Sequence, residues 1–299
     1  MREALRNPID VLNSLKTKAC SEDYHYERLY RNLYNAEFYL LAYQNIYAGE
    51  GNMTAGTDGK TIDGMGMDRI NRLIESLKGH SYMPNPARRK YIEKKNGKKR
   101  PLGIPSFDDK LVQEVVKMIL ESIYEPTFSN LSHGFRPNRS CHTALKQIQA
   151  GFTGTKWFIE GDIHGFFDNI DHAVLVNILR KRIKDEYFIA LIWKFLKAGY
   201  VEDWTFHNTY SGTPQGSIIS PILANIYLNE FDQEFVKRGV PCIRYADDIV
   251  LLAKSKRASE RLLESSTKYL EEKLKLTVNR EKSRTVSVFA IRNFKFLGF

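Results

Sequence analysis

Apolar residues at helical or strand spacing predict a mixed chain. Leu111, Val115, Met118, Ile119 and Ile123 recur at a 3.6-residue period, after a capping signal at Ser106 and before Pro126. Val174, Leu175, Ile178, Leu179 and Ile183 do the same behind Asp171, a second cap. Ser220-Pro221 opens a third helix with Ile222, Leu223, Ile226 and Tyr227 on its buried side, and Ser255 a fourth with Leu262, Leu263, Tyr269, Leu270 and Leu274. Shorter helices are expected over Met67–Gly79 and around Ala144. Leu29, Leu33, Phe38 and Leu41 fit one helical face, whereas the first 20 residues show no clear period. Gly49 to Gly66 reads as loop.

Strands show as short β-rich runs. Val240–Ile243 and Ile249–Ala253 flank Tyr245-Ala246-Asp247-Asp248, so two adjacent carboxylates sit at the bend of a buried hairpin. Lys156–Ile163 is another such run and contains Asp162, and Leu276–Val278 is expected to return as a strand. Asn96-Gly97 predicts a two-residue hairpin turn in the basic segment Arg88–Arg100. Helices and hairpins in this order suggest an α+β fold with an antiparallel sheet.

Buried ionised carboxylates are costly unless compensated. A solvated turn is the bland reading of Asp247-Asp248. A divalent metal is the sharper one, and hard oxygen ligands suit Mg²⁺. Asp162, at the end of its own β run, offers a ligand from a separate element. Carboxylates arriving this way can hold two Mg²⁺ roughly 3.5–4 Å apart, which clamp the attacking and leaving oxygens of a phosphoryl displacement.

Several motifs carry a family resemblance: FIEGDIHGFFDNIDH (158–172), TPQGSIISPILANIYLNEF (213–231) and RYADDIVLLAKS (244–255). With them, in order, stand RRKYIEKKNGKKRPLGIPSFDDKLVQ, LSHGFRPNRSCHTAL, LKLTVNREKSRTV and FKFLGF. From about residue 50 onward the chain resembles the reverse transcriptases encoded by bacterial group II introns. The resemblance implies a right-hand polymerase: an RNA-binding extension and the start of the fingers over 1–80, fingers over 81–155, and palm over 156–299 with some fingers elements interleaved. The expected antiparallel palm sheet packs on helices. The motif series stops at Gly298-Phe299, before a thumb, DNA-binding or endonuclease region, so a fragment is expected, weakly active or inactive by itself.

The implied activity is RNA-directed DNA synthesis together with maturase binding of intron RNA, which promotes splicing and retrohoming. Asp162, Asp247 and Asp248 would hold two Mg²⁺, with Mn²⁺ as a substitute. Lys94 and Arg100 resemble finger residues that clamp the triphosphate, Gln215 lies against the incoming nucleotide in the family, and Lys282 approaches the same phosphates. Phe167 resembles an aromatic beneath the sugar that leaves no room for a 2′-hydroxyl; by itself it reads equally as core. Glu93 departs from the proline of many relatives. Arg88, Arg89 and Lys90, and in the loop block Arg136 and Arg139, are candidates for RNA contact, while His133 reads as a structural histidine. The implied partners are intron RNA, an RNA template with DNA primer, and deoxynucleoside triphosphates; a homodimer stays open. Two alternatives also stay open: a retron, diversity-generating or CRISPR-associated reverse transcriptase, and a non-catalytic splicing cofactor. The Tyr-rich extension and TAGTDG favour the intron branch.

Composition changes this picture little. Net charge is +10, concentrated in Arg88–Arg100, which fits contact with phosphates; the alternative is a solvated edge hairpin kept soluble by lysine. The 42% hydrophobic content argues for a folded chain. Three scattered cysteines give neither a disulfide framework nor zinc spacing, and suggest a reducing compartment. With no membrane span or secretory signal, a bacterial cytoplasmic location is expected.

Overall fold

The computed structural model describes residues 6–49, 51, 53–93, 97, 99–151, 153–213, 216–293 and 296–297. Its helices are α1 (Pro8–Ala19), α2 (Ala36–Ile46), α3 (Met67–Lys78), α4 (Phe107–Tyr124), α5 (Cys141–Ala150), α6 (Phe166–Asn169), α7 (His172–Arg180), α8 (Glu186–Lys197), α9 (Ser220–Lys237) and α10 (Lys256–Lys268). The strands are β1 (Ala87–Glu93), β2 (Lys99–Ile104), β3 (Trp157–Gly161), β4 (Tyr200–Glu202), β5 (Thr205–His207), β6 (Cys242–Tyr245), β7 (Asp248–Ala253) and β8 (Arg284–Ser287). The chain divides into two compact units, one made of Met1–Thr127 and Val176–Ile222, the other of Phe128–Leu175 and Leu223–Phe299.

In the first unit α1 and α2 pack on α4. Helix α4 is buried on almost every side, and the Ser106 hydroxyl accepts from the Asp109 amide at its start, as predicted. Asp109 itself is buried, taking hydrogen bonds from the Tyr82 hydroxyl and the Asn85 amide. The sheet of this unit runs β2-β1-β4-β5. The β1–β2 hairpin is present, with Glu93 facing Lys99. Of the expected Asn96-Gly97 turn, Asn96 lies outside the described residues, and Gly97 is left-handed (φ 74°).

The second unit is built on the antiparallel sheet β6-β7-β3-β8. β6 and β7 are buried on both faces, which is why Ile249–Ala253 reads as a continuous apolar run rather than an alternation. Phe158, Ile243, Val250 and Leu252 meet Ala144 and Ile148 of α5 on one face. On the other, Ile159, Ile249 and Leu251 line a small space with Phe231 of α9, Leu263 of α10 and Leu270. This is the α+β architecture expected: an antiparallel sheet packed on helices.

Three expectations need correction. The Leu29–Leu41 face belongs to two elements, a 3₁₀ turn over Tyr30–Tyr34 and α2, because Asn35 adopts an extended conformation and its side chain accepts from the Glu37 amide at 3.0 Å. The unperiodic N-terminal stretch contains α1, started by Asn7, which accepts from the Ile9 amide at 2.8 Å, and by Pro8 at the first position. Leu276–Val278 makes only an isolated bridge, Val278 to Ile163; the strand beside β3 is β8. The β4–β5 hairpin was not foreseen.

The β6–β7 bend is fixed from beneath. Arg244 is 0% exposed and forms an ion pair with Asp232 of α9 at 2.6 Å. The same nitrogen, Nη2, also donates to Ser132 Oγ (2.8 Å), and Nη1 donates to Asn225 Oδ1 (3.1 Å) and the Ala246 carbonyl (2.8 Å). Ala246 has φ 56°, and Gly134 is packed so closely on it that a Cβ at Gly134 would lie 2.2 Å from the Ala246 nitrogen. We predict that Arg244→Met, which strands Asp232 as a buried unpaired charge, costs about 3–5 kcal/mol of stability in urea unfolding followed by circular dichroism. Adding Asp232→Leu should recover much of that loss; a single variant within about 1 kcal/mol of wild type contradicts the network's role.

Candidate active site

β3 and β7 are antiparallel, with Gly161 opposite Ile249. The ladder ends there, and Asp162 follows Gly161 as Asp248 precedes Ile249. Asp248 is the first residue of β7, paired with Tyr245 across the turn formed by Ala246 and Asp247. The three predicted aspartates therefore stand at one end of one sheet, two on the bend and one just past the end of the neighbouring strand.

Asp162 is clasped by the turn that follows Val278. Its amide donates to Ser283 Oγ (3.1 Å) and its carbonyl accepts from the Asn279 amide (2.9 Å). Its carboxylate accepts from Asn279 Nδ2 at 3.0 Å and lies 3.4 Å from the Lys282 ammonium. Lys282, which the family resemblance set near phosphates, is thus the cation on Asp162. Beside it Arg284 pairs with Glu160 at 3.1 Å.

Asp248 shows what this crowding does. Loss of hydration pushes its pKa up to about 6, and the charges of Asp247, Asp162 and Glu160 add to the push while Lys282 opposes it. The side chain still reaches the surface, so water screens part of the hydration penalty, and the neighbouring carboxylates are the firmer cause. Among the described residues no three His, Cys, Asp or Glu side chains converge closely enough to form a ready metal centre. The donor set nonetheless fits one. It consists of hard oxygens with surplus negative charge, which a divalent cation would relieve.

Phe167 is half-buried on α6, which starts after left-handed Gly165 (φ 53°). Its ring meets Phe135 and Phe166 edge-to-face, at 6.0 and 5.3 Å. Phe135, half-exposed and at φ 56°, is a neighbour the sequence reading missed. His133 is structural as expected, held between Thr143 Oγ1 (2.7 Å) and Gln147 Oε1 (2.6 Å). Asp171 caps α7 through the Val174 amide (2.9 Å).

The remaining candidates fall into separate settings. Arg136 is buried and braces its own loop through the carbonyls of Ser129 (2.6 Å) and Ser132 (2.8 Å), an inward role that the RNA-contact expectation did not foresee. Arg139 holds the Asn130 carbonyl at 2.9 Å. Arg88, Arg89 and Lys90 lie on β1, and Arg100 on β2, in the first unit. Lys94 and Gln215 lie outside the described residues. Gly216 (φ 100°) approaches β2 so closely that a Cβ there would lie 2.5 Å from the Gly103 carbonyl oxygen. Residues missed at the site itself are Arg244, Asn279 and Ser283. A charged residue inside the apolar run Cys242–Tyr245 was the available signal for the first.

Residues 92–299 match the family described as Reverse transcriptase (RNA-dependent DNA polymerase). The chain is 58% identical over 209 residues to Group II intron-encoded protein LtrA of Lactococcus lactis subsp. cremoris, covering 70% of this chain and 35% of that protein. It is 37% identical over 315 residues to Protein YkfC of Escherichia coli (strain K12), covering 91% and 82%. The chain thus spans about a third of the length of the intron-encoded relative. Among solved structures, apo telomerase from Candida tropicalis is similar in fold (TM-score 0.55, 14% identity, 72% of this chain and 46% of that one).

The raised pKa of Asp248 has a measurable consequence. Its unfolded carboxyl titrates near 3.8 and its folded one near 6, so ionisation destabilises the metal-free fold progressively between those values and fully above them. Asp248→Asn should therefore raise the melting temperature at pH 8 without divalent metal, and the gain should vanish as the pH falls below about 4. A gain that persists at the lower pH contradicts the electrostatic cause.

Proposed function

The chain belongs to the reverse transcriptase (RNA-dependent DNA polymerase) family, and from that premise we propose that it carries the fingers and palm of a group II intron-encoded reverse transcriptase that also serves as a maturase. The observation that carries the reading is the β3–β7 register, which ends with Gly161 opposite Ile249 and so leaves Asp162 at the same end of the sheet as Asp247 and Asp248. In this reading the first unit supplies the RNA-binding extension and the fingers, and the second the palm.

Asp162, Asp247 and Asp248 would hold two Mg²⁺, which supply charge neutralisation at the transferred phosphoryl group and lower the pKa of the attacking hydroxyl. The chain's own contribution is positioning. The antiparallel register and the Arg244 network fix where the carboxylates point. Lys282, at 3.4 Å from Asp162 and largely exposed, is close enough to neutralise that carboxylate and free enough to turn toward the phosphates of a bound nucleotide. The substrates proposed are an RNA template, the 3′-hydroxyl of a DNA primer as attacking group, and deoxynucleoside triphosphates, with pyrophosphate leaving. Lys94, Arg100 and Gln215 are proposed to contact the nucleotide, and Arg88, Arg89 and Lys90 to meet RNA phosphates. Phe167, rigid against Phe135 and Phe166, is proposed to sit beneath the sugar and reject a 2′-hydroxyl. No helix among the described residues is long and apolar enough to cross a membrane.

Two variants test this reading, made in a protein that extends primers. Asp247→Ala removes a metal ligand and no basic group, so primer extension should fall by at least about 100-fold while RNA binding stays close to wild type. Undiminished extension would refute the site. Phe167→Val should raise ribonucleotide use relative to deoxynucleotide use by about tenfold or more. An unchanged ratio in a folded variant leaves Phe167 as core.

A further inference from the structure

The first unit carries aromatic side chains that the polymerase reading does not use. β4 and β5 are joined by Asp203 and Trp204, both at positive φ (47° and 64°). A two-residue turn of this kind is ordinarily supplied by Asn-Gly, and a bulky aromatic there is held against its backbone preference. Packing gives nothing back: Trp204 is 100% exposed, and Phe206 and Tyr210 are 51% and 85% exposed. Scattered apolar residues on a surface are ordinary, but three large rings within seven residues mark an interaction site.

Beside them lies an ordered stack. Tyr200 faces His207 across the β4–β5 ladder, with ring centroids 4.9 Å apart and planes 15° from parallel. Ala87 is paired with Tyr200, so Arg89, two residues on, shares its face of the sheet. The Arg89 guanidinium lies 3.5 Å from the Tyr200 ring centroid. Strand spacing thus lines up a guanidinium, a phenol and an imidazole across the sheet toward β5, its edge strand. Another flat π-system can continue that series. Lys99 of β2, paired with Glu93, lies on the face that Arg89 shares, whereas Arg88, Lys90 and Arg100 alternate to the other. An apolar protein surface would gain from the rings but not from these cations. A chain bearing both π-faces and phosphates gains from both.

We propose that Trp204, His207 and Tyr210 form a stacking site for unpaired bases of single-stranded RNA, with Arg89 and Lys99 meeting its phosphates. The proposal rests on the reading of the chain as an RNA-handling polymerase. Its residues all belong to the first unit, whereas the three aspartates belong to the second.

The test titrates the chain with a short single-stranded oligoadenylate and with an RNA duplex of equal length, following intrinsic tryptophan emission and the anisotropy of labelled RNA. The single strand should quench emission and the duplex should not. Trp204→Ala should weaken single-strand binding about tenfold. Trp204→Phe, which keeps a stacking face, should retain most of the affinity, and circular dichroism should show all variants folded. Wild-type affinity in the double variant Trp204→Ala/Tyr210→Ala overturns the proposal, as does equal quenching by duplex. So does a variant that abolishes self-association of the chain while binding RNA normally, because the edge would then be a contact with a second copy. Failure here would leave the loss of extension in Asp247→Ala untouched, so the two readings fail separately.

Discussion

The ion pair between Arg244 and Asp232, enclosed at one end of the second unit's sheet, is the contact on which its site depends. Two charges withdrawn from water cost several kcal/mol each, and mutual attraction alone need not offset this. Here the guanidinium is also bonded to Asn225, Ser132 and the Ala246 carbonyl, so its donors are spent on three different segments. Those segments are α9, the loop before Gly134, and the β6–β7 turn itself. A neutral core of the same volume could be as stable, but it would not tie the turn to two neighbours at defined distances. With Ala246 in a left-handed conformation against Gly134, the direction in which Asp247 and Asp248 leave the sheet is set by backbone packing rather than by solvent-exposed side chains.

That fixed turn makes the electrostatics of the site intelligible. Carboxylates on adjacent strands of an antiparallel sheet cannot drift apart to relieve repulsion, because the ladder of β3 and β7 holds them in register. Lys282 and Arg284 offset part of the charge at Asp162 and Glu160, yet Asp248 still titrates near 6. The rigid sheet thus maintains an unfavourable concentration of negative charge, which is a standing attraction for a divalent cation.

Much of this was legible in the sequence, for physical reasons that differ by element. β7 was visible because burial on both faces demands an unbroken apolar run, and β3 through the β-rich start Trp157-Phe158-Ile159. Helices α4, α7 and α10 were visible because Ser106, Asp171 and Ser255 cap them with their own side chains. Strand β8 was not, since Arg-Thr-Val-Ser at an open edge has neither the apolar run nor the clean alternation that marks a strand. The β4–β5 hairpin escaped because Asp-Trp is not turn chemistry, and that mismatch is what singles it out. The three aspartates could be named from their motifs. Their common place at one end of the sheet could not, because it depends on pairing between segments distant in the chain, and Arg244 showed only as a charge inside an apolar run, since its partners come from α9 and a distant loop.

The central claim is that three carboxylates at one end of the second unit's sheet act as one cation site. Titration of the chain with Mn²⁺, followed by electron paramagnetic resonance of the free ion, tests it directly. The account predicts that Asp162→Asn weakens Mn²⁺ binding as strongly as Asp248→Asn, with the double variant little worse than either. Binding that is unaffected by Asp162→Asn, or that falls by independent and additive steps, would contradict it.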